Sequence, residues 1–461
     1  MIRNFDELIG VAEDKSTRKA RELALNLVIE GIKAADPHVA IERHVKVVGE
    51  LLVFNERYEV DLSRVNDVYV IGMGKAVGAM AESLEAMLDD KITEGIIIVP
   101  KGTANRYKLK KIRACEGGHP IPNEGSLKCA ERLLSLAESA GEEDLVICLL
   151  SGGGSALASL PVDDVSLEDL MRTTELLLRS GAEIREVNTV RKHISRIKGG
   201  WLAKAAYPAR LFSLIISDVV GDDVSSIASG PTAPDKSTFK DAKQILEKYE
   251  IWHEVPSSVR RWIELGVRGD VNETPKPDDV VFEKVHNIII ASNRVSLQSM
   301  AELGRSLGLN VLILTSYLEG EAREVGKVIS SILREVYEHD IPVKKPAAII
   351  AGGETTVTVK GHGKGGRNQE LALSVARMIK GLKGVVLLSM GSDGLDGITD
   401  AAGAIVDGNT ISEASGLGLD PERYLADNDS YTFFKKVGGS LIFTGPTGTN
   451  VNDFVVGVVL G

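Results

Sequence analysis

The sequence predicts an α/β protein of two α/β domains with mostly parallel sheets, the N-terminal one Rossmann-like, flanking an inter-domain cleft. Three observations carry this expectation. Short apolar runs alternate with longer helical segments, a spacing that yields right-handed βαβ units and a parallel sheet. One stretch, 267–284 ("VRGDVNETPKPDDVVFEK"), breaks the alternation with two prolines, several carboxylates and no periodicity, and reads as a linker. Several expected strands run directly into loops rich in glycine, charge or hydroxyls, and ligands of α/β sheets bind at the carboxyl ends of strands.

The elements follow in order. Leu23, Leu27 and Ile32 share one face of an early helix. Strands are expected at 68–71, 95–99, 145–150 and 211–217, with helices near 126–139, 166–180, 189–206 and 239–249. After the linker a second series begins: strand 286–291, helix 294–307, strand 310–315, helix 320–338 and strand 347–351. A β-ribbon at 355–361, helix 369–379, strand 384–390 and a mixed section ending in "VNDFVVGVVL" complete it. The expected domains are therefore 1–266 and 285–461.

A chain of 461 residues exceeds one ordinary core, which agrees with two domains. Lysine and arginine number 54 against 65 acids, a formal charge of −11 that argues against a nucleic acid or an anionic membrane as partner. The N-terminus lacks the apolar core of a signal peptide, and no apolar run approaches the ~20 residues of a membrane span. Cys115, Cys129 and Cys148 are odd in number and lack metal spacing; they read as buried free thiols, and with them a cytoplasmic location.

Chemistry is concentrated in a few loops. In "VYVIGMGKAVGAM" (68–80), Gly72, Gly74 and Gly78 are spaced one residue wider than the dinucleotide fingerprint, and Lys75 follows the second glycine. The next strand ends in Pro100-Lys101, without the acid that would hold a nicotinamide ribose. In "LLSGGGSALASL", Ser151, Gly152, Gly153, Gly154 and Ser155 suit close approach of main-chain N–H groups to a phosphate. In "GGETTVTVKGHGKGGRNQELALS", Arg367 opens a helix, where a cation opposes the macrodipole unless an anion offsets it. "LIISDVVGDD" places Asp218, Asp222 and Asp223 after one strand, and "LLSMGSDGLDGITD" places Asp393, Asp396 and Asp400 after another. Such carboxylates suit Mg²⁺, although helix caps and Asx turns use the same residues. His119 and His193 could bind or catalyse, or be structural. Phosphate loops, two cations and strand-tip carboxylates are the equipment of phosphoryl transfer. No Gly-Lys pair is followed by Ser or Thr, so there is no Walker A, and no H-R-D or D-F-G kinase signature occurs.

These motifs, with "EGGHPIPNEGS", "NTVRKHISRIKGG" and "SDVVGDDVSSIASGPTAPD", together resemble the glycerate 2-kinase family, which pairs a kinase-like domain with a C-terminal MOFRL domain. The resemblance covers nearly the whole chain in the same order. It implies ATP-dependent phosphorylation of D-glycerate to 2-phosphoglycerate, with Mg²⁺, in the inter-domain cleft. It implies Lys75 and Arg367 as the catalytic pair. Substrate and nucleotide contacts are expected from Gly72, Gly74, His119, the 151–155 loop, Lys192, Glu354 and Asn368, and metal ligation from Asp218 and Asp393. D-glycerate and ATP are the expected partners, and a homodimer is left open. Two rivals stand beside this reading: an NAD(P)-dependent hydroxypyruvate reductase, and a non-catalytic phosphometabolite-binding protein.

Overall fold

A computed structural model describes residues 1–461. The chain forms two compact units, one of Pro37–Ile290 and one of Met1–Asp36 together with Ala291–Gly461.

The 37–290 unit begins with helix Pro37–His44, followed by a small antiparallel sheet of β1 (Val45–Val48), β2 (Leu51–Phe54) and β3 (Tyr58–Asp61). Its main sheet comprises β4 (Val68–Met73), β5 (Glu94–Pro100), β6 (Ile112–Gly117), β7 (Leu145–Leu150), β8 (Arg210–Ile216) and β9 (Val285–Ala291). The spatial order is β6-β5-β4-β7-β8-β9, with parallel pairing from β6 through β8. That is the Rossmann order: successive strands are added outward to one side from β4 and to the other from β7, and the boundary between them is the switch point where such sheets bind ligands. β7 reads LVICLL without alternation and is buried at every position, as expected of a parallel strand covered on both faces. Ile71, Cys148 and Leu150 share a core with Leu133 and Leu134 of helix Glu124–Glu138. A second core, including Leu177, Val190, Phe239 and Ile263, gathers helices Leu167–Arg179, Ile184–His193, Phe239–Lys248 and Ser257–Arg268.

The other unit holds β10 (Asn310–Leu318), β11 (Ala347–Gly353), β12 (Val385–Gly391), β13 (Gly403–Asp407), β14 (Leu441–Ile442) and β15 (Asp453–Val459), in the order β10-β11-β15-β12-β13-β14. Only β10 and β11 pair in parallel; β15 runs antiparallel to both β11 and β12, so this sheet is mixed where mostly parallel pairing was expected. Helix Lys15–Ala34 is capped by Asp14, whose carboxylate accepts from the Thr17 N–H at 2.8 Å. It buries Leu23, Leu27 and Ile32 as its periodicity predicts. Its Arg21 is buried and pairs with Asp407 at 2.6 Å, while donating to the carbonyls of Leu8 and Gly439.

Several expectations change. The boundary expected at 267–284 is displaced: β9 completes the first sheet, and the first 36 residues join the other unit, because the apolar face of helix 15–34 needs that unit's core. The stretch 267–284 is not a free linker, since Thr274 Oγ1 donates to Asp235 and the Pro275 carbonyl accepts from the Asp235 N–H at 2.9 Å. The helix expected over 189–206 stops at His193 and resumes at Trp201, interrupted by Gly199 and Gly200 in left-handed conformation. No ribbon forms at 355–361; the Thr358 amide donates to Glu321 and those of Lys360 and Gly361 to Asn428, which removes the donors a hairpin would use. The cysteines are not all free. Cys115 within β6 and Cys129 on the helix packed behind it lie with Cα atoms 5.9 Å apart and form a disulfide, while Cys148 is a buried thiol. No helix is long and apolar enough to cross a membrane.

Candidate active site

The loops after β4 and β7 meet at the switch point and are laced together. The Lys75 amide donates to the Gly152 carbonyl at 2.9 Å, and the Ala76 amide to Ser151 Oγ at 3.0 Å. Gly74 donates sideways to Ile98 of β5 at 3.1 Å. Gly72, within β4, leaves no room for a Cβ against Leu149 of β7. These contacts fix where Lys75 leaves the backbone.

Two of the three consecutive glycines have definite physical reasons. Gly153 has φ +83°, a region that L side chains avoid. A Cβ there would also lie 2.8 Å from His119 Cδ2, 3.0 Å from its Nε2 and 3.3 Å from Lys75 Cε. Lys75 and His119 therefore converge over Gly153. A Cβ on Gly152 would fall on the carboxylate of Asp218, which sits under the loop from the end of β8. Burial, and then the charge of Lys75, hold the His119 imidazole below its ordinary pKa, so it is neutral at pH 7. The helix after the glycines spans only Gly154–Leu157. Behind it, Ser155 and Ser229 share a hydroxyl–hydroxyl bond of 2.6 Å, and Ser229 donates to Asn188 at 3.0 Å.

Arg367 opens helix Arg367–Met378 in the other unit. Its Nε and Nη2 grip Asp453 at 2.5 and 3.0 Å, and Nη1 reaches Glu354 at 2.8 Å. The anions that offset the cation at this helix start thus include the protein's own. Burial pushes the Asp453 carboxyl up to about 6, with Arg367 pulling against it. Asp396 caps the helix, accepting from the Asn368 and Gln369 amides at 3.1 and 2.9 Å. Asn368 is buried and accepts from Ser389 Oγ at 2.6 Å. Beside Arg367 lies a cavity of about 510 Å³, lined by Glu354, Thr355, the glycines of the 363–366 loop and Asn428.

The structure thus gathers Lys75, His119, Ser151, Gly152, Gly153 and Asp218 in one unit, and Glu354, Arg367 and Asn368 in the other. Asp393 accepts from the Leu395 amide at 3.0 Å in an Asx turn. No three histidine, cysteine or carboxylate side chains gather as a metal centre. A magnesium ion that keeps waters and phosphate oxygens needs only one or two carboxylates, and Asp218 beneath the glycine loop fits that role. Lys192 lies buried, its Nζ 3.4 Å from Asp235. His193 is held between the Thr189 carbonyl and Glu273, a structural placement. Sequence reading missed Asn188, Arg191, Lys198, Ser229 and Asp453. Asn188 and Arg191 stand three apart on one helix face, a spacing visible in "NTVRKHISRIKGG". Asp453 carried no such signal, being 86 residues from its partner.

The Rossmann-ordered sheet with a lysine over a glycine-lined cradle at its switch point defines a class of α/β proteins suited to anionic, phosphorylated small molecules. Comparison with known proteins narrows the class. A domain of unknown function (DUF4147) matches residues 23–264, and the MOFRL family matches residues 347–453. The chain is 49% identical to glycerate 2-kinase of Pyrococcus horikoshii, over 95% of this chain and 97% of that protein. It is 44% identical, over 83% of this chain and 85% of that one, to a putative hydroxypyruvate reductase of Agrobacterium vitis. It superposes on a crystal structure of glycerate kinase from Thermotoga maritima with a TM-score of 0.84 and 43% identity, covering 95% of this chain and 99% of that one. The chain belongs to the glycerate kinase family with a C-terminal MOFRL domain.

Proposed function

We propose that the protein transfers the γ-phosphoryl group of ATP to the 2-hydroxyl of D-glycerate, giving 2-phosphoglycerate, with Mg²⁺. The observation that carries this reading is the convergence of Lys75 and His119 over the left-handed Gly153 at the switch point. A cation on a mobile stem beside closely approachable main chain is suited to hold a negative oxygen while the group moves. Neutral His119 brings a hydrogen-bonding imidazole to the same place without a second charge. Arg367, held as a flat fork by Asp453 and Glu354, is assigned as a second cation for oxygens of the transferring group. Mg²⁺, held by Asp218 and assisted by Asp393, would supply neutralisation of phosphate charge. Cations around oxygens that gain charge in the transition state stabilise it more than the ground state.

The reductase reading that relatives' names raise is not favoured by the site. β5 ends in Pro100-Lys101, with no acid for the ribose hydroxyls of a nicotinamide cofactor. Incubation with D-glycerate, ATP and Mg²⁺ should release ADP, with no dependence on NAD(P)H. Enolase added alone should then form phosphoenolpyruvate. If phosphoglycerate mutase is also required, phosphorylation is not at the 2-hydroxyl.

A further inference from the structure

Behind the glycine loop, the charge of the 37–290 unit does not balance locally. Helix Ile184–His193 presents Asn188 and Arg191, three residues apart, on one face. Arg191 donates from Nη2 to the Ser155 carbonyl at 3.1 Å, and its buried Nε has no hydrogen-bond partner. Lys198 is fully buried and donates to the same Ser155 carbonyl and to that of Ala158, both at 2.9 Å. Neither cation has a carboxylate partner. The acids nearby in sequence and fold are engaged elsewhere: Glu186 with Lys248 and Tyr249, Asp235 with Lys192, and Glu273 with His193 and Lys276.

Two cations sharing one neutral carbonyl in a buried setting are costly unless an anion joins them. Burial pushes the Arg191 guanidinium down to about 10, and burial followed by Arg191 itself holds Lys198 well below its ordinary range. Both cations meet the Ser155 carbonyl, and the Ser155 and Ser229 hydroxyls and Asn188 form a polar chain from the same residue. The Ser229 proton is given to Asn188 and so the Ser155 proton to Ser229, which leaves the unpartnered Arg191 Nε, backed by one further cation, as the donor that a single-charged, planar anion would match.

We propose that Arg191, backed by Lys198, is the subsite that recognises the carboxylate of the acceptor and so selects a hydroxy acid over a neutral polyol or amide. This rests on the reading of the protein as a glycerate kinase. Arg191 is the specificity-determining residue, and Lys198 holds its field and the Ser155 carbonyl in place.

The test is a comparison of D-glycerate with glyceramide, its neutral carboxamide, as acceptors. Each is measured as KM and kcat for the full-length protein, its Arg191→Gln variant and its Arg191→Lys variant. The thermal melt of each variant is checked against the parent. The parent should prefer glycerate, and Arg191→Gln should raise the KM for glycerate on the order of 10- to 100-fold, the worth of a charged hydrogen bond. Its KM for glyceramide and for ATP should stay within about twofold, so that the discrimination between the two acceptors collapses. Arg191→Lys should recover part of it. Equal losses on glycerate and glyceramide would mean that Arg191 only shapes the loop, and a rise in the KM for ATP would assign the pair to phosphate; either overturns the proposal. A parent that phosphorylates no glycerate, yet releases ADP with another acceptor, would instead sink the glycerate kinase reading on which it stands.

Discussion

Lys75 carries its charge on a flexible stem, whereas Arg367 presents a rigid fork already bound on two edges by acids. The difference sets what each substitution should do. Loss of one preorganised donor to a transition state costs on the order of 2.7–4 kcal/mol, or about 10²–10³ in rate. Lys75→Ala and Arg367→Ala should each lose at least about a hundredfold in turnover of glycerate, with far-ultraviolet dichroism unchanged. Arg367→Lys should rescue poorly, because an ammonium cannot span both oxygens of Asp453 and still face a ligand. The double variant should lose less than the product of the single losses, as expected of groups acting as a unit. Turnover within about threefold of the parent in either alanine variant would make that loop structural. His119 and Gly153 belong to the same argument, since the imidazole has its place only because residue 153 lacks a Cβ.

At the scale of elements, Glu273 ties three segments together. Its carboxylate meets His193 at the end of one helix, accepts from the Phe239 amide at the start of another at 2.7 Å, and pairs with Lys276 at 3.0 Å. Burial alone would raise its pKa, but these hydrogen bonds overcome that and hold it at about 2. A carboxylate depressed in the folded state contributes stability above its unfolded pKa and loses it as pH falls through the folded value. The melting temperature of Glu273→Gln should therefore lie below that of the parent at pH 7, and the gap should close between about pH 4.5 and pH 2. A gap that stays constant over that window would assign the loss to packing. Glu273 also shows why part of the fold was not legible. β4, β5, β7 and β8 were read correctly because a buried parallel strand is an uninterrupted apolar run, a purely local signal. The 267–284 stretch looked like a linker because its prolines and acids are local facts, whereas Phe239, which donates to Glu273, and Asp235, which accepts from Thr274, lie 34 and 39 residues away. The ribbon expected at 355–361 failed for the same reason, its amides being claimed by Glu321 and Asn428. The glycines and Lys75 were singled out from loop chemistry, and the structure brings them together at the switch point. Lys192 was singled out where its neighbour Arg191 is the residue with an unpartnered nitrogen, and no local pattern separates two adjacent basic residues.

For the whole molecule, Lys75 belongs to one unit and Arg367 to the other, so the two alanine variants test both units of the chain in one assay of glycerate turnover. The order of the strands has a further consequence for synthesis of the chain. Residues 37–290 form one uninterrupted segment, so β4 to β9 are all available before β10 is translated. The other unit cannot finish before β15 is made, because that strand lies between β11 and β12 and joins the two halves of its sheet. Helix Lys15–Ala34, which precedes residues 37–290 in the chain, must wait for that whole segment and for β10 to β15 before its apolar face has a complete surface to meet.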